Sequence, residues 1–165
     1  MKMTVIYHSV TNNTKNMGEY IVKGMNQIAG VEAKAYSIDD VDFDFAKESK
    51  CIVIGSPIYA AGISGQMHNF LMAESGKLEL AGKLCGAYAT AQYVHGGAEL
   101  GIQQILNHMM VKGGLLYSGG AACGRPVIHL GPVGIDNTLE IEQFAENFVI
   151  YGERMANKAK EIFAE

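Results

Sequence analysis

The stretch Met3-Thr4-Val5-Ile6-Tyr7-His8-Ser9-Val10-Thr11-Asn12-Asn13-Thr14 changes character in its middle. Met3 to Tyr7 is the apolar, β-branched run of a buried strand, and from His8 onward hydroxyl and amide side chains take over. Behind the stretch, Met17, Tyr20, Ile21, Met25 and Ile28 recur at helical spacing, with Gly30 as a stop signal. A strand that ends in such a loop and enters a helix gathers free backbone N–H groups at one spot, where the helix dipole adds positive potential. Ser9, Val10, Thr11, Asn12, Asn13 and Thr14 are therefore expected to cradle a phosphate monoester without a charged side chain. An ordinary N-cap by Ser9 or Thr11 competes for any one hydroxyl, but the run holds more cap-capable residues than a cap requires.

The same residues exclude other phosphate chemistries. Gly-x4-Gly-Lys-Ser/Thr and Gly-x-Gly-x-x-Gly are both missing, so neither a triphosphate loop nor a dinucleotide turn is present. No cysteine and arginine frame the loop as a phosphatase would need, and the first and third strands lack the acidic ends of a receiver domain.

Strands and helices alternate along the rest of the chain. Val31 to Ile38 is expected to be a second strand, and Asp39 to Lys50 a short surface helix or loop. Cys51-Ile52-Val53-Ile54 has the continuous apolar character of a strand covered on both faces, and it ends in Gly55-Ser56-Pro57. Ser64 caps a helix that buries Met67, Phe70 and Leu71. Leu84 to Thr90 is the fourth strand; Ile102, Ile105, Leu106 and Met109 mark the next helix, and Leu115-Leu116-Tyr117 is the fifth strand. Gly119 to Asn137 is rich in glycine, and such a segment covers a site or makes a subunit contact. A last helix carries the stripe Ile141, Phe144, Ala145, Phe148, Met155, Ala159, Ile162 and Phe163. This alternation predicts an α/β fold: a five-stranded parallel sheet in the order 2-1-3-4-5 with helices on both faces. Its ligand would lie beyond the strand C-termini, near the switch between strands one and three.

Composition narrows the function further. The 165 residues suit a single domain spanning 1–165, and the 48% hydrophobic content is ordinary for a globular chain, with no apolar run of membrane-spanning length. A net charge of −4 without a basic cluster argues against nucleic acid. Cys51, Cys85 and Cys123 lie far apart, which disfavours a disulfide framework, a zinc knuckle or an iron–sulfur cluster. Cys51 and Cys85 read as inert core residues, while Cys123, among glycines and near Arg125, is open to exposure. No histidines or acidic residues fall at a convincing ligand spacing, so no metal is expected. Met1-Lys2 passes directly into a strand with no secretory pattern, and a cytoplasmic location is expected.

Several motifs carry a resemblance. Ser9-Val10-Thr11-Asn12-Asn13-Thr14 resembles the Ser/Thr-x-Thr-x-Asn-Thr loop of the flavodoxin superfamily. Gly55-Ser56-Pro57-Ile58-Tyr59, Ser64-Gly65-Gln66-Met67-His68-Asn69-Phe70-Leu71, His95-Gly96-Gly97-Ala98-Glu99 and Gly152-Glu153-Arg154-Met155-Ala156 are similar to segments of WrbA-type NAD(P)H:quinone oxidoreductases and their FMN-reductase relatives. The resemblance implies a flavodoxin-like three-layer sandwich, FMN as cofactor, NADH or NADPH as donor, and a quinone or similar small-molecule acceptor. Its alternative is a flavodoxin that carries single electrons between redox partner proteins. The chain departs from the WrbA type in having no tryptophan and no long insertion, so their tetramer is not implied and a homo-oligomer stays open.

Residue chemistry supports the same ring site. A flavin needs flat contacts for its faces and backbone amides for its pyrimidine edge. Pro57 and Tyr59 offer surfaces; Ile58, Tyr59, Thr90, Ala91, Gln92 and Tyr93 offer N–H groups, and Gly96 and Gly97 would let backbone approach closely. Half-buried packing or a subunit contact competes for Tyr59 and Tyr93. His95 is the candidate catalytic residue, as a hydrogen-bond donor to the reduced ring or a proton source for a quinone. Against it stand His8, His68, His108 and His129, which show that histidines are scattered through the chain. The modest charge, and Ala60 and Ala61 where carriers commonly place a glycine, lean toward the enzyme.

Overall fold

The computed structural model describes residues 1–137 and 140–163. Its first strand, β1 (Lys2–Tyr7), is followed by α1 (Asn13–Asn26), β2 (Glu32–Ser37) and α2 (Phe43–Glu48). Then come β3 (Cys51–Tyr59), β4 (Gly62–Ile63), α3 (Gly65–Ala73), β5 (Leu84–Ala91) and α4 (Ala98–Val111). The chain closes with β6 (Leu115–Leu116), β7 (Val133–Ile135) and α5 (Ala145–Phe163). Helix starts follow local chemistry: Asp42 caps α2 by accepting from Phe45 N at 2.9 Å, and Ser64 caps α3 by accepting from Met67 N at 3.1 Å.

The α/β architecture with a parallel sheet is as expected, but the strand count and order are not. Seven strands are present among the described residues, and the sheet runs β2-β1-β3-β5-β6, with β4 paired to β3 and β7 to β5. Two physical causes account for the difference. The chain leaving β3 folds back at once, so that Ile58 opposes Ile63 and Tyr59 opposes Gly62 in a short antiparallel hairpin that is β4. The edge strand is also split. β6 pairs with Leu84 and Cys85, whereas β7 pairs with Ala89, Thr90 and Ala91. Between them the chain swings out through Gly119, Gly120 and Gly124, all at positive φ, and re-enters beside β5. The segment from Gly119 to Asn137 is therefore not a plain loop, since it contains β7 and a 3-10 turn at Ala121–Cys123.

Strand alternation sends side chains into two cores. Met3, Val5, Cys51, Val53, Leu84 and Tyr88 meet Met17, Ile21 and Met25 of α1 and Phe148, Tyr151 and Met155 of α5. Ile6, Ile52, Ile54, Cys85, Ala87 and Ala89 meet Met67 and Phe70 of α3 and Ile102, Ile105 and Met109 of α4. The helices α1 and α5 touch through glycine: a Cβ on Gly24 would stand 1.9 Å from Val149 O, and one on Gly152 would stand 2.1 Å from Ile21 O. No described helix is long and apolar enough to cross a membrane.

Candidate functional site

The C-terminal ends of β1, β3 and β5 open on a cavity of about 290 Å³. Val10, Thr11, Asn13 and Thr14 line one end, and Pro57, Ile58, Tyr59, Thr90, Ala91 and Gln92 line the remainder. One further residue, Asp136 just after β7, completes the wall. Thus the loop after β1 and the C-terminal ends of β3 and β5, far apart in sequence, converge where a parallel sheet reverses its winding direction.

At the α1 end, Asn12 adopts the left-handed conformation (φ 67) and its side chain caps nothing. Ser9 Oγ accepts from Lys15 N at 3.2 Å, and Asn16 N donates to Asn12 O. Among the described residues no partner is seen for the first-turn N–H groups of Asn13 and Thr14, as at any helix start without a side-chain cap. The competing cap reading thus holds for Ser9 alone, and the rest of the loop is free of that duty.

Two buried ties fix this turn to the sheet. Thr14 Oγ1 and Thr90 Oγ1 are hydrogen-bonded at 2.7 Å, and Tyr88 Oη donates to Thr14 O at 2.9 Å. Burial pushes the Tyr88 phenol well above its ordinary pKa, so it remains a donor. Its ring occupies the space that a side chain at Gly55 would need, because a Cβ there would come within 2.0 Å of Tyr88 Cζ.

Beside the other wall, the β3–β4 hairpin turns through Ala60 (φ 49) and Ala61 (φ 62). Two adjacent left-handed residues make the backbone of a tight hairpin turn, a place that favours asparagine and glycine. The turn is held by α4: Ile63 N donates to Gln104 Oε1 at 3.0 Å. A Cβ on Gly97 would lie 2.6 Å from Ala61 Cα, so the space beside Gly97 serves the hairpin. Gly96 is similarly hemmed, with Tyr93 O 2.9 Å from its Cβ position. The close approach expected of these glycines is thus made by the protein itself.

Of the residues singled out by sequence, Ser9, Asn12, Tyr93, His95, Gly96 and Gly97 stand outside the cavity lining. Tyr93 and His95 are exposed on the loop between β5 and α4. Val10 and Tyr59 of the cavity lining leave apolar surface in solvent, as do Tyr93 and Val94 on the loop after β5. Asp136 was missed. Its Oδ2 accepts from Asn13 Nδ2 at 2.6 Å and its backbone N–H donates to Ala91 O at 2.9 Å. Nothing local in Gly134-Ile135-Asp136-Asn137 signals that contact, which joins residues 123 positions apart.

Over its full length the chain is 43% identical to a flavodoxin of Clostridium saccharobutylicum, across 163 residues that make up 99% of this chain and 100% of that one. The chain belongs to the flavodoxin superfamily. Residues 44–123 match the family model described as NADPH-dependent FMN reductase. An NAD(P)H dehydrogenase (quinone) of Geotalea daltonii is 28% identical over 149 residues, covering 72% of this chain and 73% of that one. Among solved structures, the WrbA-like flavodoxin of Agrobacterium tumefaciens superposes with a TM-score of 0.76 at 22% identity, covering 97% of this chain and 98% of the other. In this superfamily setting, the cavity at the ends of β1, β3 and β5 is the candidate site.

Proposed function

We propose that this chain is an FMN-binding redox protein, a single domain in which the cavity holds the nucleotide. The residues fit the group. The uncapped start of α1, with the hydroxyl of Thr11, suits a phosphate monoester. Pro57, Ile58 and Tyr59 at the end of β3, and Thr90, Ala91 and Gln92 at the end of β5, offer the flat surfaces and backbone amides that a flavin ring requires. Bound there, FMN would supply one- and two-electron redox chemistry. The protein holds the phosphate, orients the ring and excludes water from its buried side.

Of the two ways to use such a group, transfer of single electrons between partner proteins is the one we favour, on the likeness along the whole chain to a flavodoxin. At about 290 Å³, lined by strand ends and the loop after β1, the cavity is of a size to receive one flat ring system. Electrons would then pass to an acceptor docked against the exposed apolar surface of Val10 and Tyr59, which line the cavity. The end-to-end likeness to the Clostridium flavodoxin supports this reading. The lack of a glycine weighs little against it, because Ala60 and Ala61 already hold the left-handed turn.

The second reading, NAD(P)H oxidation coupled to reduction of a quinone or similar acceptor, draws on the family match over residues 44–123, with His95, exposed on the loop after β5, as proton donor. Anaerobic titration of the FMN-loaded protein separates the two. A third spectral species at half reduction, with no bleaching by NADH or NADPH, is the expected result; rapid two-electron bleaching by a nicotinamide would reverse the choice. A protein that takes up no FMN would end both.

A further inference from the structure

The phosphate end of the cavity contains a charge of the wrong sign for an anion. None of the eleven lining residues is a lysine, arginine or histidine, and the one that carries a formal charge is Asp136. Its carboxylate takes one of the two side-chain N–H donors of Asn13, the first residue of α1, at 2.6 Å. An ionised carboxylate only accepts hydrogen bonds, so Asp136 can offer nothing to a phosphate oxygen and repels it instead. An anion entering the cradle meets the backbone N–H groups of the α1 start, but also a negative charge held beside the Asn13 amide.

We propose that Asp136 is a specificity-determining residue that acts as a charge gate on the phosphate end of the cavity. The empty cradle rejects bare phosphate, because the attraction of the α1 N-terminus is offset by the carboxylate. A phosphate attached to a flat ring binds, because contacts with Pro57, Tyr59 and the β5 loop outweigh the repulsion. The gate keeps the cradle from being filled by free phosphate. It also weakens the hold on the cofactor's phosphate, so that the flavin remains exchangeable. This inference rests on the FMN reading for its ligand, but its first consequence involves inorganic phosphate alone.

The test is Asp136→Asn, whose side-chain oxygen still accepts from Asn13 while the charge is gone. Asp136→Ser serves as a second neutral variant should the amide fold poorly. Inorganic phosphate at 10 mM, against chloride of matched ionic strength, should leave the melting temperature of the wild-type apoprotein unchanged and raise that of the neutral variants. By flavin fluorescence quenching, the variants should bind FMN about tenfold more tightly at low salt, a gain that shrinks at high salt, with riboflavin affinity unchanged. Equal phosphate response in wild type and variants would overturn the gate whatever the fate of FMN. Riboflavin affinity moving in step with FMN would overturn it too, by assigning Asp136 to the sugar chain or to packing. Wild-type protein that binds neither flavin, with the phosphate result as expected, would keep the gate and remove the FMN reading.

Discussion

Thr14 Oγ1 and Thr90 Oγ1 meet at 2.7 Å in a buried contact that ties the first turn of α1 to the end of β5. The two hydroxyls satisfy one another, so removal of one leaves the other buried without its partner. Thr14→Val or Thr90→Val alone should cost about 1–3 kcal/mol in urea unfolding, and the double variant should cost less than the sum of the two. Strict additivity would show that the pair does not interact.

The Ala60-Ala61 turn holds two non-glycine residues in the left-handed region, at φ 49 and 62. Each costs about 1 kcal/mol relative to an unstrained residue. The pair Ala60→Asn and Ala61→Gly should therefore stabilise the apoprotein by about 1 kcal/mol, read from the urea midpoint. A destabilised double variant would mean that the hairpin does not adopt this turn in solution.

Gly152 permits α5 to lie directly on α1, since a Cβ there would stand 2.1 Å from Ile21 O and 2.9 Å from Ile21 C. Backbone cannot yield as a flexible side chain can. Gly152→Ala should cost about 2 kcal/mol or more, although alanine is the better helix former. A neutral or stabilising outcome in thermal unfolding would contradict the close helix contact.

Burial lowers the pKa of His8 below its ordinary 6.5, against a weaker opposing pull from Asp39, and its Nδ1 is buried without a hydrogen-bond partner. The unfolded chain therefore takes up the proton first on acidification. The stability linked to neutral His8 is fully present above about pH 6.5 and is lost as pH falls through the unfolded value toward the folded one. His108, lowered by burial and by Lys112 and His68, adds in the same direction. The urea midpoint should drop between pH 7.5 and 5.5, and His8→Asn should make that drop shallower. An equally steep fall in the variant would count against His8.

Cys51 and Cys85 are buried, and burial pushes their thiols up, that of Cys85 to about 12, while Cys123 is exposed. Native protein should give one equivalent of thiol with an aromatic disulfide reagent, and denatured protein three. Prompt modification of more than one thiol in the native state would show that the core opens readily.

Much of the layout is a property of the sequence alone. Met3 to Tyr7 and Cys51 to Ile54 are apolar without interruption because both faces of their strands are covered, and helical spacing in α1, α4 and α5 marks which side of each helix is buried. These signals are local, and so are Ser64 as a cap and the hydroxyl-rich turn after β1. The ends of the strands, read from sequence at Tyr7, Ile54 and Thr90, could thus be placed near one another in advance, and the structure carries the second and third on to Tyr59 and Ala91. What tertiary structure alone decided depends on residues that meet across the chain. The hairpin at Gly62 and Ile63 forms because Gln104 and Gly97 of a later segment receive it. The edge strand splits because Leu115 and Val133 pair with different stretches of β5. Asp136 reaches Asn13 only once β7 lies along Ala91, and spacing along a chain carries no record of such an encounter.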